Sequence, residues 1–261
     1  MNTKVAVQGA LGQMGREVMK AVIAAPDLSL VGGCDTKAIE ASISFGEISV
    51  PLSNDLAKLI NATKPDVLVD FSLAAAVPQA AEITARAGVS LVIGTTGLTP
   101  LALARLEELT KEYNVGVMVA PNFALGAVVM MQLSRIASKY LDWVEIIELH
   151  HEKKADAPSG TAIATARMME ADRKKPFESP PGEAVHKSRG EEFYGVPIHS
   201  VRLPGLVAHQ EVIFGALGQT LTICHDSINR ERFLPGVLLA VREIAKRPGE
   251  FVFGLEKLLG F

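Results

Sequence analysis

The sequence predicts an α/β protein: a doubly wound parallel sheet with helices on both faces, then a second α+β part built on a mostly antiparallel or mixed sheet. Three observations predict it. Up to about residue 120, short branched-aliphatic runs alternate with amphipathic helical segments, the pattern of a parallel sheet between helices. Each of those runs leaves through a glycine, a proline or a polar residue. Between residues 198 and 225, three strand-like runs follow one another through glycine-containing turns with no helical pattern between them.

The totals set bounds. At 261 residues the chain suits one large domain or two modest ones, and 48% hydrophobic residues supply a substantial core. With 21% charged residues and a formal net charge of −3, nothing in the balance points to nucleic acid as a partner. No apolar run approaches the roughly 18 residues of a membrane span. The chain enters a strand pattern at once, so no signal peptide is expected and a cytoplasmic protein is. Cys34 and Cys224 are the only cysteines, which predicts two buried thiols, no disulfide and no metal site.

Lys4–Gln8 is the first strand, followed by G-A-L-G-Q-M-G at Gly9–Gly15. Met14, Val18, Ala21, Val22 and Ala25 then share one helical face, and Pro26-Asp27 closes that helix. Leu28–Cys34 is the second strand and ends at Asp35. Strand, glycine turn, helix, strand and acid is the order of a dinucleotide site in a Rossmann-type fold. Glycines let the backbone approach a pyrophosphate, and the helix start favours its charge. The spacing is G-x-x-G-x-x-G rather than the commoner G-x-G-x-x-G, so the flanks carry the assignment; without them these are three turn glycines. Asp35 favours a free ribose 2′-hydroxyl, as in NAD. Lys37 is either a solvated loop lysine or the cation that neutralises the 2′-phosphate of NADP.

Asp66–Asp70 is a buried-type strand leaving through Phe71-Ser72, and Ala74–Ala87 is a helix. Val89–Ile93 leaves through Gly94-Thr95-Thr96-Gly97, and Thr99-Pro100 caps the next helix. Val115–Val119 leaves through Ala120-Pro121-Asn122-Phe123. Ligands of such sheets sit beyond the carboxyl ends of the strands, so these exits form one cofactor edge.

In the second half, Gly126–Tyr140 is a helix with Val129, Leu133, Ile136 and Tyr140 spaced for burial, and Met130 and Met131 are core filler. Trp143–Leu149 is a strand running into His150, His151, Glu152, Lys153 and Lys154. Adjacent strand residues face opposite ways, so the two imidazoles have different tasks. Pro158 holds Ala157 extended, and Ser159 is an N-cap with Gly160, Thr161 and an alanine-rich helix behind it. Two imidazoles, two ammonium groups and a helix start suit a small anionic substrate and a proton transfer. Residues 176–197 are rich in proline, glycine and charge and predict a long loop, with His186, Lys187 and Arg189 as a solvated basic run. Ile198–Leu203, His209–Ala216 and Thr220–His225 are strands of a sheet that presents one face to another subunit. Phe233–Ala245 is an amphipathic helix, and Phe251–Phe261 is too apolar to dangle and must dock.

Four blocks in this order, G-A-L-G-Q-M-G at 9–15, G-T-T-G at 94–97, A-P-N-F at 120–123 and E-L-H-H-E-K-K-A-D-A-P-S-G-T-A at 148–162, resemble the 4-hydroxy-tetrahydrodipicolinate reductase (dihydrodipicolinate reductase) family. V-R-L-P-G, H-Q-E-V-I-F-G and H-D-S-I-N-R further on resemble it too, so the likeness spans nearly the whole chain. The resemblance implies an enzyme of the diaminopimelate route to lysine, which passes hydride from NADH or NADPH to a cyclic, imine-type dicarboxylate with loss of water. It implies His150 as proton donor and Lys154 as a cation beside developing negative charge. His151, Gly160 and Thr161 match substrate-binding positions. Gly9, Ala10, Leu11, Gly12, Gln13, Met14, Asp35, Gly94, Thr95, Thr96, Ala120, Pro121, Asn122 and Phe123 match the cofactor edge. It also implies a dinucleotide-binding domain made of residues 1–121 with the returning segment 231–261, an inserted substrate and oligomerisation domain at 122–230, and a homotetramer. With the two sites on different domains, closure is expected before hydride transfer. Family members that use NADPH well often carry arginine directly after the ribose acid; Thr36 stands there, which leaves the choice of cofactor open.

Two other readings compete. Another two-domain amino-acid-pathway dehydrogenase, of the acylating kind, needs a nucleophilic cysteine, and neither Cys34 nor Cys224 has a histidine placed to activate it. A non-catalytic dinucleotide sensor has no need of the His150–Lys154 pair.

Overall fold

A computed structural model describes residues 2–180 and 187–261. Pro181, Gly182 and His186 of the proline-rich segment lie outside the described residues. The chain divides into two compact units, one formed by Met1–Leu125 with Arg230–Phe261 and the other by Gly126–Asn229.

The first unit holds an eight-stranded sheet. Its strands are β1 (Thr3–Gln8), β2 (Leu28–Cys34), β3 (Ser42–Phe45), β4 (Ile48–Ser53), β5 (Val67–Asp70), β6 (Ser90–Ile93), β7 (Val117–Val119) and, from the chain end, β13 (Phe251–Phe253). The order is β13-β7-β6-β5-β1-β2-β4-β3, parallel throughout except for the β3–β4 hairpin. Strand order reverses between β1 and β5, where Gln8 and Asp70 are register partners. This is the switch point at which open α/β sheets bind ligands. Helices α1 (Gln13–Ala24), α2 (Leu56–Thr63), α3 (Val77–Arg86), α4 (Pro100–Tyr113) and α7 (Leu234–Ile244) cover it. Two adjacent glycines of β2 show that both faces are covered: a Cβ on Gly32 would strike Leu59 of α2, and one on Gly33 would meet Met19 of α1. On α1, Val18, Met19 and Val22 are fully buried, and each contributes roughly 1.5–3 kcal/mol. The buried stripe therefore runs through Gly15, Val18, Met19 and Val22, and Met14 and Ala21 lie at its edges rather than at its centre.

The second unit has a five-stranded mixed sheet of β8 (Trp143–His150), β9 (Glu191–Phe193), β10 (Val196–Arg202), β11 (Ala208–Ala216) and β12 (Gln219–Ser227), in the order β12-β11-β8-β10-β9. Strand β8 runs parallel to β10 and antiparallel to β11. Val144, Ile146, Val196, Ile198, Val212 and Phe214 pack under α5 (Leu125–Ala137) and α6 (Gly160–Ala171), against Met130, Ala162, Ala166 and Met169.

Several expectations are corrected. On α5 the predicted core stripe faces outward: Leu133 and Ile136 are each 44% exposed, and Tyr140, beyond the helix end, is 79% exposed. Ala127, Val128, Met130, Gln132 and Ser134 are the buried face; the polar pair there hides the true stripe from a hydrophobicity count. Residues 176–197 are not one long loop. A tight turn at Tyr194-Gly195, with φ of +54° and +74°, joins β9 to β10, a primed hairpin turn without its usual Asn-Gly signal. Arg189 is not merely solvated but pairs with Glu145. Cys224 is exposed because β12 is a sheet edge; Cys34 alone is a buried thiol, and burial pushes its pKa up to about 11. The β3–β4 hairpin and α2 fall in a stretch the strand–helix alternation does not predict, where serine, glycine and proline interrupt the apolar pattern. The closing apolar segment docks as expected, β13 pairing with β7.

Candidate active site

The glycine turn is built by close approach. Gly9 takes φ +77°, and a Cβ there would lie 2.5 Å from the carbonyl oxygen of Phe71. A Cβ on Gly15 would lie 2.1 Å from the carbonyl oxygen of Gly9, so α1 can start this close to β1 only with glycine at that position. The amides of Gly9 and Ala10 both donate to the Cys34 carbonyl, at 2.9 and 3.1 Å. Gly12 is the N-cap of α1 and supplies no side-chain acceptor. The first-turn N–H groups of Gln13 and Met14 thus face an anion without competition from a cap. Asp35, at the end of β2, accepts from the Leu11 amide through Oδ2 and from the Lys37 amide through Oδ1, both at 3.0 Å. Asp35 is thereby fixed against the glycine turn, with lone pairs left for further donors. Cradle, open helix start and fixed acid fit a dinucleotide.

The neighbouring exits join this edge because their strands are neighbours. Asp70 is fully buried, and its Oδ1 accepts from the Ser72 amide (2.8 Å), the Ser72 hydroxyl (2.7 Å) and the Thr95 hydroxyl (2.8 Å). Burial pushes its carboxyl up, against the pull of those hydrogen bonds, and Oδ2 has no partner among the described residues. Phe71 packs on Phe123 with ring centroids 5.9 Å apart, and a Cβ on Gly94 would fall 2.2 Å from the Phe71 ring. Ala10, Thr95, Ala120 and Phe123 are buried, the Ala10 and Ala120 amides donating to the Cys34 and Ile93 carbonyls; Thr96 and Pro121 are exposed. Asn122 accepts from the Ala124 amide at 2.8 Å and so shapes its own turn.

In the second unit, His150 ends β8 beside Arg202 of β10 and Ala208 of β11. Its Nδ1 lies 2.5 Å from Oε2 of Glu148, two residues back on the same strand face. Glu148 is wholly buried and also receives both terminal nitrogens of Arg202, at 2.9 and 2.8 Å, and the Ser159 amide at 3.2 Å. Burial works to raise the Glu148 carboxyl, but hydrogen bonds from Arg202, Ser200 and His150 override it and hold it below the usual carboxylate range. Burial lowers the His150 imidazole, with Lys154 and Arg202 adding to the depression and Glu148 opposing it.

After β8 the chain turns, the Lys154 amide donating to the His151 carbonyl at 3.1 Å. His151 is exposed, and Lys154 Nζ rests on both carboxylate oxygens of Asp156 at 2.7 Å. Arg202 also donates to the Asp156 carbonyl at 2.7 Å. Ser159 caps α6 as expected, accepting from the Ala162 amide at 3.2 Å. A Cβ on Gly160 would meet nothing within 4 Å, so the helix start opens onto free space. Glu148 ties His150 to Ser159 and, through Arg202, to Asp156. The imidazole, the lysine and the open helix start with Gly160 and Thr161 therefore share one hydrogen-bonded frame.

Glu148, Arg202, Asp156 and Asp70 are absent from the sequence-derived site. Glu148 was detectable, since i and i+2 share a strand face; Arg202 was not, because only the fold brings β10 beside β8.

A glycine turn that fits a dinucleotide in one unit, and an imidazole, a lysine and an open helix start in the other, fit a nicotinamide-dependent oxidoreductase. Residues 3–123 match the family model described as the N-terminus of dihydrodipicolinate reductase, and residues 126–259 match its C-terminus. The 4-hydroxy-tetrahydrodipicolinate reductase of Dehalococcoides mccartyi is 50% identical over 258 residues, 98% of each chain. That of Moorella thermoacetica is 46% identical over 265 residues, covering 99% of this chain and 98% of its own. The dipicolinate-bound dihydrodipicolinate reductase of Paenisporosarcina sp. TG-14 superposes with a TM-score of 0.90 at 39% identity, over 98% of this chain and 99% of its own. The amine dehydrogenase of Mycobacterium smegmatis, at 14% identity and a TM-score of 0.63, shares the fold. The chain belongs to the dihydrodipicolinate reductase family. It is an NAD(P)H-dependent oxidoreductase.

Proposed function

We propose that this enzyme reduces 4-hydroxy-tetrahydrodipicolinate to tetrahydrodipicolinate, with loss of water, in the diaminopimelate route to lysine. The observation that carries the reading is the frame around Glu148, which gathers an imidazole, an ammonium held by Asp156 and an open helix start within one corner. Bound NADH or NADPH supplies the hydride. Gly9–Met14 and Asp35 hold its pyrophosphate and ribose, and Gly94–Thr96 with Ala120–Phe123 line the rest of its edge. The Gly160 and Thr161 amides take one substrate carboxylate at the positive end of α6. His151, exposed in the turn after β8, is proposed as a second polar contact to the substrate. Lys154, held by Asp156 in the free enzyme, is the cation that would stand beside the negative charge developing on the substrate. His150 delivers the proton that completes the reduction.

The sensor reading is not favoured, because a binding protein gains nothing from a buried carboxylate holding an imidazole. A homotetramer is part of the proposal: the sheet face away from α5 and α6 carries Trp143, 38% exposed, with half-buried Ile147 and Ile213, as partner-seeking surface. Sedimentation at four times 27.8 kDa is expected, and a monomer would refute it. We place the enzyme in the cytoplasm, with its reductant; among the described residues no helix is long and apolar enough to cross a membrane.

Dipicolinate is the probe for the substrate site. Its binding should be lost in Gly160→Ala, whose added methyl enters the free space at the helix start without meeting any protein atom. Unchanged dipicolinate affinity in that variant would remove the helix start from the site.

A further inference from the structure

The frame contains a buried carboxylate that the reaction does not consume. Glu148 accepts from two nitrogens of Arg202, from the Ser159 amide and from Ser200, and its Oε2 lies 2.5 Å from Nδ1 of His150. Two of those bonds, the bidentate pair with Arg202, would suffice to staple β8 to β10. The contacts with His150 and the Ser159 amide reach the proton donor of the proposed reaction and the residue that starts the proposed substrate-binding helix. A neutral imidazole carries its proton on one nitrogen only, and the partner of the other ring atom decides which. The groups around His150 are Glu148 on its own strand, Arg202 on β10 and Lys154 on the following turn; Ala208 of β11 is not titratable. Of these, Glu148 alone can accept. With the ring held below the ordinary histidine range, the free enzyme at neutral pH carries one imidazole proton, and its place matters.

We propose that Glu148 is a positioning residue: it holds the Nδ1–H tautomer of His150, so that Nε2 is the atom that exchanges a proton with substrate, and it sets that ring against the start of α6. The proposal rests on the role of His150 given above. The carboxylate keeps its own charge throughout; the proton passed to substrate leaves Nε2 of the imidazolium, and the neutral Nδ1–H ring remains. Arg202 balances the buried charge of Glu148, so the carboxylate can orient the ring without taking its proton.

Nitrogen-15 NMR of the histidine-labelled protein, with the His150 signals assigned by difference from His150→Gln, tests this on the unaltered enzyme. A pyrrole-type Nδ1 and a pyridine-type Nε2 at pH 8 are expected; the reverse tautomer would overturn the proposal. Glu148→Gln should lower kcat on the order of 100-fold, the lower end of what general acid–base catalysis contributes, and leave NADH affinity unchanged. It should also shift the pH profile, and Glu148→Asp should restore part of the loss. A pure staple predicts a lower melting temperature with an unchanged pH profile and tautomer, and that result would also overturn the proposal. Full turnover in His150→Ala would overturn it by removing what Glu148 positions. That failure is distinguishable, because the Nδ1–H tautomer would still be observed.

Discussion

Replacing Gly15 with alanine tests how the cofactor edge is built. The new Cβ would sit 2.1 Å from the Gly9 carbonyl oxygen, 2.8 Å from its carbon and 3.0 Å from the Ala10 Cα, all backbone atoms that cannot rotate away. Reaching van der Waals distance requires α1 to withdraw by about 1 Å or more. Val18, Met19 and Val22 ride on that helix and are fully buried, so the shift opens their packing. Overpacking costs about 1–3 kcal/mol, and a clash with rigid backbone belongs at the upper end. The first-turn amides retreat with the helix, so NADH should bind at least about tenfold more weakly, or roughly 1.4 kcal/mol. Gly12→Ala is the control for the stability change. Its φ of −69° suits alanine, and its Cβ would lie 3.1 Å from the same oxygen, a contact that a few tenths of an ångström relieve. Urea unfolding of both variants and NADH fluorescence titration of Gly15→Ala against the wild type give the comparison. Wild-type stability and NADH affinity in Gly15→Ala would refute the close-approach argument.

Other outcomes follow from the same geometry. Asp70 carries a raised pKa, so the folded state binds more protons than the unfolded chain and stability falls as pH climbs from the ordinary carboxylate range towards the folded value. Asp70→Asn should therefore stabilise the protein at pH 7 by roughly 1 kcal/mol, with the gain fading as pH falls through the raised folded value and gone by about pH 4; its amide can also serve the unpartnered Oε1 of Gln8, the register partner. Melting curves at the two pH values check it, and a loss of stability at pH 7 would count against it. Lys154→Ala should lose mostly kcat and Thr161→Ala mostly substrate affinity, read from steady-state kinetics; unchanged parameters would remove that residue from the site. Binding of a dicarboxylate raises the pKa of the neighbouring His150, so dipicolinate should bring up to one proton with it at pH 8. Calorimetry in buffers of different ionisation enthalpy measures that uptake, and buffer-independent heats would contradict it.

The first unit was legible because its signals are local. Gly9–Gly15, Asp35 and the exits at Gly94 and Ala120 each announce a strand end, and parallel order puts strand ends side by side. The hairpin at Ser42–Ser53 was not legible, since short edge strands need little apolar patterning. On α5 the pattern misled: Gln132 and Ser134 are buried while Leu133 and Ile136 are not, and only the packing of α5 on its sheet reveals it. The substrate corner was half legible. His150, Lys154 and Ser159 lie in one run of sequence, but the Glu148–Arg202 pair that organises them spans 54 residues and depends on β10 pairing with β8.

The central claim is the reaction itself, and a linked assay tests it most directly. The synthase product of pyruvate and aspartate semialdehyde is generated in place, and nicotinamide absorbance is followed with NADH and with NADPH in parallel. The account predicts oxidation of at least one cofactor, abolished in His150→Ala and in Lys154→Ala while both variants still bind NADH. No oxidation of either cofactor by a protein that binds NADH, or full rates in those two variants, would contradict it.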